Sequence, residues 1–480
     1  MSVARKIAKN TGLLMISSLF TNIMALVWTI YTANYLGTAG LGILSAALAL
    51  TSIFSVLADL GLSTYSTREV AKDNDKTKKY LSNIALIKVF LAIFTFILIY
   101  LFIVIKNYPP QSVDVTLIIG AYMIISSFSA LFNAIFQGHQ RMEFQTIGNI
   151  INSSLLLFGI LLAIYYLKGN VITISLAYLF ASIITLTYSI IVTSWKFTVP
   201  SFEFDWKFWK KTIIKALPFG ITSVFATIYF SIDSVMLSFM QGDVAVGLYT
   251  APYKLLFAML SIYGVYMMAL FPFMSKFYVD STDALKLTYR RSYKYMLILS
   301  LPVAVGTTML AQEIILFVYT PQYLPSVAAL QILIWSIVFM FVNGLSANLL
   351  GSIDKQMAVT KITGIGAVVN IGINIVLINI FSLYGASVAT VLTEFLIMIL
   401  FTRIISKTEF SVGNTMLKDL WRILIPCIAM LGVLVFLKLP LLIMIFISAI
   451  VYIIGILLTK AIDDQDITMI KGMIKKNRSN

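Results

Sequence analysis

The chain has 480 residues, of which 60% are hydrophobic and only 11% are charged. A water-soluble protein carries about 25% charged residues, so this composition excludes a soluble enzyme, a disordered chain and a nucleic-acid-binding domain. The net charge of +15 must therefore be explained by where the few charges lie. A membrane helix needs about 20 apolar residues, and the roughly 288 apolar residues (0.60 × 480) leave room for about 14 such helices.

Apolar segments of membrane-spanning length follow one another along the chain. The first, residues 12–35, is too long for the hydrophobic part of a cleaved signal peptide. The pattern predicts an all-α polytopic membrane protein with fourteen transmembrane helices, here called spans 1 to 14. In chain order they are residues 12–35, 40–62, 81–105, 115–136, 148–168, 171–195, 213–240, 247–275, 294–317, 326–350, 358–380, 384–405, 420–437 and 440–461.

Lysine and arginine divide unequally between the two sides of these spans. We call the side that holds the N-terminus side one and the opposite side side two. Of the 35 basic residues, 30 fall on side one, 3 on side two and two inside spans. Short cytoplasmic loops are enriched in Lys and Arg, so the split predicts a multi-pass protein of the cell membrane with both termini in the cytoplasm. A missed span would have reversed the alternation, so the split also supports the count.

The two halves of the chain share a glycine pattern. The segments Gly37–Gly42 and Gly242–Gly247 have the same spacing and lie 205 residues apart. A second pair of similar segments begins at Gly138 and Gly351, with an offset of 213 to 214 residues. Chance similarity between apolar segments is the alternative. We interpret the pattern as an internal repeat in which spans 1–6 resemble spans 7–12.

The repeat predicts the domain organisation. Residues 1–200 and 201–410 form two six-span lobes, and residues 411–480 add spans 13 and 14 and a cytoplasmic tail. Each lobe has an even number of spans, so the lobes enter the membrane in the same orientation as parallel repeats. Two such lobes can enclose a central cavity that rocking opens to either side of the membrane.

The residues around span 2 resemble those of a known family. The run Tyr35-Leu-Gly-Thr-Ala-Gly-Leu-Gly-Ile-Leu-Ser45 is followed by Asp59-Leu-Gly-Leu-Ser-Thr-Tyr-Ser-Thr-Arg68-Glu69-Val-Ala. With the plan of six, six and two spans, they resemble the oligosaccharide flippases of the multidrug/oligosaccharidyl-lipid/polysaccharide exporter superfamily over nearly the whole chain. The resemblance implies a transporter and not an enzyme. Its substrate would be a lipid-linked oligosaccharide, moved from the inner to the outer leaflet by alternating access.

The same resemblance sets the expected partners. They are the lipid-linked substrate and the membrane lipids, with no nucleic acid and no cofactor, and the chain is expected to act as a monomer. A phosphate or pyrophosphate linker between sugar and lipid would need cationic partners in the cavity.

Ionisable residues inside spans are rare and mark functional positions. Lys88 of span 3 and Lys254 of span 8 are the basic candidates for binding the substrate, and Asp233 of span 7 and Glu394 of span 12 are the acidic ones. For Lys88 the alternative is a lysine whose amine reaches back to the membrane surface. For Lys254 the alternative is an ion pair with Asp233.

Three charged residues lie near the side-one end of span 2. Asp59, Arg68 and Glu69 could form a gate that closes side one by ion pairing. Ordinary capping and loop anchoring is the alternative.

A candidate cation site comes from the resemblance to the lipid II flippases of the same superfamily. Their sodium site has an acid in span 7, an Asn and an acid four residues apart in span 11, and a Thr in span 12. The corresponding residues here are Asp233, Asn370, Asn374 and Thr390. Since Asn374 replaces the second acid, Glu394 is left to supply the missing charge or to take up a proton. Hydrogen bonding between helices is the alternative role for the two asparagines, and coupling to sodium or to protons stays open.

Two rival functions remain. A cation-coupled multidrug exporter of the same superfamily usually stops at twelve helices and carries acidic residues in the first lobe. A membrane-embedded glycan polymerase or ligase commonly carries a large external loop, which the short side-two loops here do not provide. The chain also has one Cys and one His, too few for most hydrolase and metal chemistry, and His139 is expected to be a solvated loop residue.

Overall fold

The computed structural model describes residues 3–106, 108–411 and 415–462, and within these ranges the chain is almost entirely helical. Three one-turn segments, Asn74–Lys76, Leu162–Tyr166 and Pro321–Tyr323, are 3₁₀ or π turns. The α-helices are Val3–Asp59, Leu62–Lys72, Thr77–Ile105, Pro110–Gly138, Met142–Leu161, Val171–Lys196, Trp206–Gln241, Asp243–Asp280, Thr282–Met309, Ala311–Val318, Ser326–Leu333, Ser336–Ser352, Gln356–Ile405, Thr415–Phe436 and Leu441–Leu458.

Two of the helices are each long enough to cross the membrane twice. Ten helices in the described ranges are long and apolar enough to span, and among them Lys9–Asp59 has 51 residues and Gln356–Ile405 has 50. The first breaks at Gly37, with φ 68°, and the second at Ser382, with φ 51°. Since positive φ interrupts a right-handed helix, these breaks separate span 1 from span 2 and span 11 from span 12.

Two further crossings complete the count. The helices Thr282–Met309 and Ala311–Val318 pass the test for a span together and are bent by 79°, and Leu420–Phe436 is a shorter apolar helix. Ten long helices, two crossings added by the breaks, one bent pair and one short helix make fourteen in the described part of the chain. The predicted all-α fold with fourteen transmembrane helices is confirmed.

Some predicted boundaries are wrong. The sequence predicts span 9 at 294–317, but its helix begins at Thr282 and bends after Met309. The early start is not apparent from hydropathy, because Arg290 and Arg291 make the first turns of the helix polar. The prediction also missed the helix Leu62–Lys72. Its sequence is polar on average, although four of its residues are buried.

The chain divides into two compact units. Unit 1 comprises the described residues within Met1–Ala269, Tyr319–Ser326 and Thr360–Ala389. Unit 2 comprises those within Leu270–Val318, Val327–Val359 and Thr390–Asn480. The predicted lobes and their boundaries stay a prediction.

The core of unit 1 includes the following two clusters of buried side chains, both built from residues that the structure describes. In one, spans 2, 4, 5 and 6 meet through residues such as Leu44, Ile119, Ile160 and Ile174. In the other, the helix Leu62–Lys72 meets spans 3, 4 and 7. Burial of large aliphatic side chains contributes about 2 kcal/mol each, and it fixes the start of span 7 against the first half of the chain.

In unit 2, spans 13 and 14 pack on each other and on span 9. The Tyr452 hydroxyl of span 14 donates to the carbonyl of Ile298 at 2.8 Å, and the Thr459 hydroxyl donates to the carbonyl of Arg422 at 2.7 Å. The first bond joins span 14 to span 9, and the second joins spans 13 and 14 to each other.

Candidate functional site

A cavity of about 320 Å³ lies between spans 1 and 8 of unit 1. Its lining from span 8 includes Lys254, Phe257 and Ser261, and its lining from span 1 includes Ser18 and Asn22. Steps of three, four or seven residues place side chains on one face of a helix. Lys254 and Ser261 therefore lie on one face of span 8 and line the same cavity as Ser18 and Asn22 of span 1.

Lys254 makes no ion pair with any residue of the described ranges, and its side chain is half-buried. The expected alternative, a pair with Asp233, is not what the structure shows. Among the cavity's polar groups, the Asn22 amide donates to the Ser18 hydroxyl at 3.5 Å. The Ser261 hydroxyl donates to the carbonyl of Ala258 at 2.6 Å. A cavity that holds one ammonium group together with two hydroxyl groups and one amide group can bind an anionic oxygen and hydrogen-bond to sugar hydroxyls,.

Lys88, the other lysine inside a span, has partners. Its amine donates to the carboxylate of Asp59 and lies 3.3 Å from the hydroxyl of Ser63. The Ser63 hydroxyl also donates to Asp59. The Lys88 side chain is 0% exposed and that of Asp59 is 25% exposed. In this structure Lys88 is held inside unit 1 and does not line the cavity beside Lys254.

Arg68 and Glu69, the other two residues of the predicted gate, form a separate surface group. The Lys72 amine donates to Glu69 at 2.8 Å, and the Arg68 Nε lies 3.8 Å from the same carboxylate oxygen. The hydrogen bond from Lys72 lowers the pKa of Glu69. The structure thus pairs Asp59 with Lys88 and leaves Arg68 more than half exposed.

Three of the four predicted cation ligands come together in unit 1. The Asn374 amide donates to Asp233 Oδ1 at 2.6 Å and to Asn370 Oδ1 at 2.9 Å. The hydroxyl of Tyr249, which the sequence analysis missed, donates to Asp233 Oδ2 at 2.8 Å. The carbonyl oxygen of the Asn374 side chain is buried and has no hydrogen-bond partner. Spacing of four residues on span 11 was the signal for the two asparagines, and nothing similar marked Tyr249.

Thr390 and Glu394 belong to unit 2. There the Asn343 amide of span 10 donates to the Glu394 carboxylate at 2.6 Å and to its backbone carbonyl at 2.9 Å. Asn343 was also missed, although an asparagine in an apolar span is itself a signal for such a bond.

The repeated glycine segments meet each other on side two. A Cβ on Gly42 would overlap the backbone carbonyl of Asp243, and one on Gly247 would overlap the carbonyl of Thr38. With the offset of 205 residues, Thr38 corresponds to Asp243 and Gly42 to Gly247 (38 + 205 = 243; 42 + 205 = 247). The last glycine of each segment therefore contacts the residue after the first glycine of the other segment, as it would across a two-fold axis.

His139 is not the solvated loop residue that the sequence suggested. Its Nε2 lies 2.9 Å from the hydroxyl of Thr77, and its ring centroid lies 4.7 Å from that of Phe197. Partial burial disfavours the charged imidazolium and lowers the pKa of His139,. The side chain joins three side-one segments: the start of span 3, the loop after span 4 and the end of span 6.

The comparisons with known proteins agree with this fold. A family model described as polysaccharide biosynthesis protein matches residues 7–278, more than half of the chain. A second model, described as MatE, matches residues 218–376. An uncharacterised membrane protein of Methanocaldococcus jannaschii is 24% identical over 426 residues, which cover 83% of this chain and 84% of that protein.

Two solved structures show the same fold. The lipid II flippase MurJ in an inward closed conformation superposes with a TM-score of 0.77 at 17% identity, covering 92% of this chain and 97% of that one. A multidrug resistance transporter of the MATE family in an inward-facing conformation gives a TM-score of 0.64 at 16% identity, covering 79% and 92%. The chain belongs to the polysaccharide biosynthesis protein family and is a membrane transporter of the multidrug/oligosaccharidyl-lipid/polysaccharide exporter superfamily.

Proposed function

We propose that this transporter is a flippase that moves a lipid-linked oligosaccharide from the inner to the outer leaflet by alternating access. The observation that carries the proposal is Lys254, the lysine inside a span that lines a cavity without an ion-pair partner in the described ranges. A half-buried ammonium group in a membrane protein is costly unless an anion joins it. The phosphate linker of the substrate is that anion.

The cavity suits the sugar part of such a substrate. Each unpaired polar group in hydrocarbon costs several kcal/mol, so a sugar head group cannot cross the bilayer core of about 30 Å unaided. Ser18, Asn22 and Ser261 offer hydroxyl and amide groups that replace water around sugar hydroxyls. The lipid tail stays in the bilayer while the head group occupies the cavity.

We further propose that the group formed by Asp233, Asn370 and Asn374 couples transport to a monovalent cation or a proton. The unpartnered Asn374 side-chain oxygen, buried beside a carboxylate, supports an oxygen site that suits a hard cation,. Thr390 and Glu394 lie in unit 2, and the roles that the sequence suggests for them stay predictions. Replacing Asp233 by Asn should abolish any dependence of flipping on sodium or pH, whereas flipping that ignores both in the parent would remove this part of the proposal.

The second candidate is a cation-coupled multidrug exporter, which the MatE match over residues 218–376 favours. Exported drugs are commonly cations, and a cavity whose charged group is Lys254 would repel them. For the flippase, we also propose a location in the cell membrane with both termini in the cytoplasm, action as a monomer, and membrane lipids as partners.

Reconstitution in liposomes separates the two functions. A fluorescent polyprenyl-pyrophosphate oligosaccharide should flip in vesicles that contain the protein, and Lys254→Gln should slow flipping about tenfold, since a hydrogen bond to a charged group contributes about 1.5 to 3 kcal/mol. Lys438→Gln, in a side-two loop, is the control and should have no effect. Transport of a cationic dye with no flipping of the oligosaccharide would establish the exporter.

A further inference from the structure

Span 2 ends in a turn made of two residues in the left-handed conformation. Leu60 has φ 47° and Gly61 has φ 77°, and the helix Leu62–Lys72 begins immediately after them. Glycine adopts positive φ readily, but a large side chain such as leucine rarely does. The surrounding structure must therefore hold this turn in place.

The turn lies against the backbone of span 7. A Cβ on Gly61 would stand 2.6 Å from the carbonyl oxygen of Ala216, and one on Gly220 would stand 2.7 Å from the carbonyl carbon and oxygen of Leu60. Neither glycine leaves room for a side chain. Pro218, which lacks an amide hydrogen, interrupts the hydrogen bonding of span 7 at the same level,. Spans 2 and 7 thus touch where each departs from regular helix.

Lys88 holds this turn from the other side. Asp59 directly precedes the turn and Ser63 follows it, and both reach the amine of Lys88 on span 3. The Lys88 side chain is fully buried. Because a buried charge loses its compensation when its partner moves away, such a group favours one arrangement of the chain strongly.

The side-two contact between the repeated segments differs. There Gly42 and Gly247 approach backbone carbonyls, and no ion pair joins the two segments within the described residues. The side-one contact between spans 2 and 7 therefore has a charge pair directly beside it, whereas the side-two contact between the two glycine segments has none.

We propose that Lys88, Asp59 and Ser63 form a buried lock that fixes the Leu60–Gly61 turn on span 7 and so holds spans 2 and 7 together at side one. The inference rests on the proposed alternating access, in which this contact must separate to admit substrate from side one. Lys88 acts through Asp59 and is a positioning residue, in contrast to Lys254.

Spin labels on either side of the contact test the lock. Arg68→Cys and Lys215→Cys place one label beyond the turn and one on span 7, both on exposed positions, in a Cys427→Ala background. Distances in reconstituted full-length protein should be mainly short in the parent. Lys88→Met should lower the ratio of short to long distances about tenfold.

A double variant and a matched control keep the result clear. Asp59→Leu with Lys88→Met removes both charges, which avoids leaving the partly buried carboxylate without its charge partner and preserves the fold,. The double variant should shift the distances as the single variant does. Lys254→Met should leave the distances unchanged while slowing flipping, which separates the lock from the proposed function. Distances like those of the parent in the double variant overturn the lock, whatever the single variant does.

Discussion

The two lysines inside spans, Lys88 and Lys254, look equivalent in the sequence and differ in the structure. Lys88 is fully buried and bound to Asp59 and Ser63, so its charge is neutralised within the protein. Lys254 lines a cavity and has no carboxylate partner in the described ranges. The difference teaches that a charged residue inside a span can be assigned a functional role only once its partners within the protein are known. A lysine paired with a carboxylate stabilises the fold, whereas a lysine without such a partner is a candidate for binding a ligand.

The largest expected effect is a difference in stability between variants of the two lysines. Lys88→Met leaves the partly buried Asp59 without its charge partner, and breaking such a pair costs about 3 kcal/mol,. Lys254→Met removes no internal bond and should cost less than about 1 kcal/mol. Thermal unfolding in detergent, followed by circular dichroism, measures both. Equal losses in the two variants would mean that Lys254 has a structural partner after all.

The next effect concerns the helix that carries Lys254. Gly247→Ala should destabilise the protein by about 1 to 3 kcal/mol, because the added methyl group would overlap the carbonyl of Thr38,. Gly432→Ala is the matched control: its Cβ would meet nothing within 4 Å, and alanine favours a helix over glycine by about 1 kcal/mol. If Gly247→Ala were as stable as Gly432→Ala, the side-two contact would not restrain span 8.

A smaller effect tests whether the position of the Lys254 charge in the cavity matters for flipping. In the Lys254→Gln background, Ser261→Lys restores a positive charge to the same face of span 8, seven residues on. Flipping should recover about threefold. The same substitution of the exposed Ser223 on span 7, which is outside the cavity lining, serves as the control. Equal recovery in both would show that the position of the charge does not matter.

The smallest effect concerns the start of span 3, the span that carries Lys88. Burial lowers the pKa of His139 below its ordinary value of 6.5 in the unfolded chain. The stabilising contribution of the neutral ring is therefore complete above pH 6.5 and is lost as the pH falls through that value toward the lower folded pKa. The unfolding midpoint should fall slightly more between pH 7 and pH 5 in the parent than in His139→Gln. An identical fall in both would contradict the partial burial of the His139 ring.

Much of the fold could be predicted from the sequence because hydrophobic length and loop charge obey simple physical limits. Fourteen apolar segments and the distribution of Lys and Arg sufficed for the span count. The exceptions have local causes: Arg290 and Arg291 masked the start of span 9, and the few apolar residues of Leu62–Lys72 became a buried face only through tertiary packing.

The candidate site was less predictable, since pairing depends on tertiary structure. Residue type selected Lys88, Asp59 and Lys254, but only the packing of span 2 against span 3 brings Asp59 to Lys88. Helical spacing brought Asn370 and Asn374 together correctly. Tyr249 and Asn343, which bond to the two buried carboxylates, were missed because aromatic and amide residues in spans are common packing groups.

The central claim is that Lys254 binds the anionic linker of the substrate. The affinity of purified protein for polyprenyl phosphate, titrated in nanodiscs of zwitterionic lipid, tests it most directly. The account predicts that Lys254→Gln weakens binding about tenfold or more, that Lys254→Arg keeps the parent's affinity within about threefold, and that polyprenol without phosphate binds the parent and Lys254→Gln equally. Equal affinities of the parent and Lys254→Gln for polyprenyl phosphate would contradict the account.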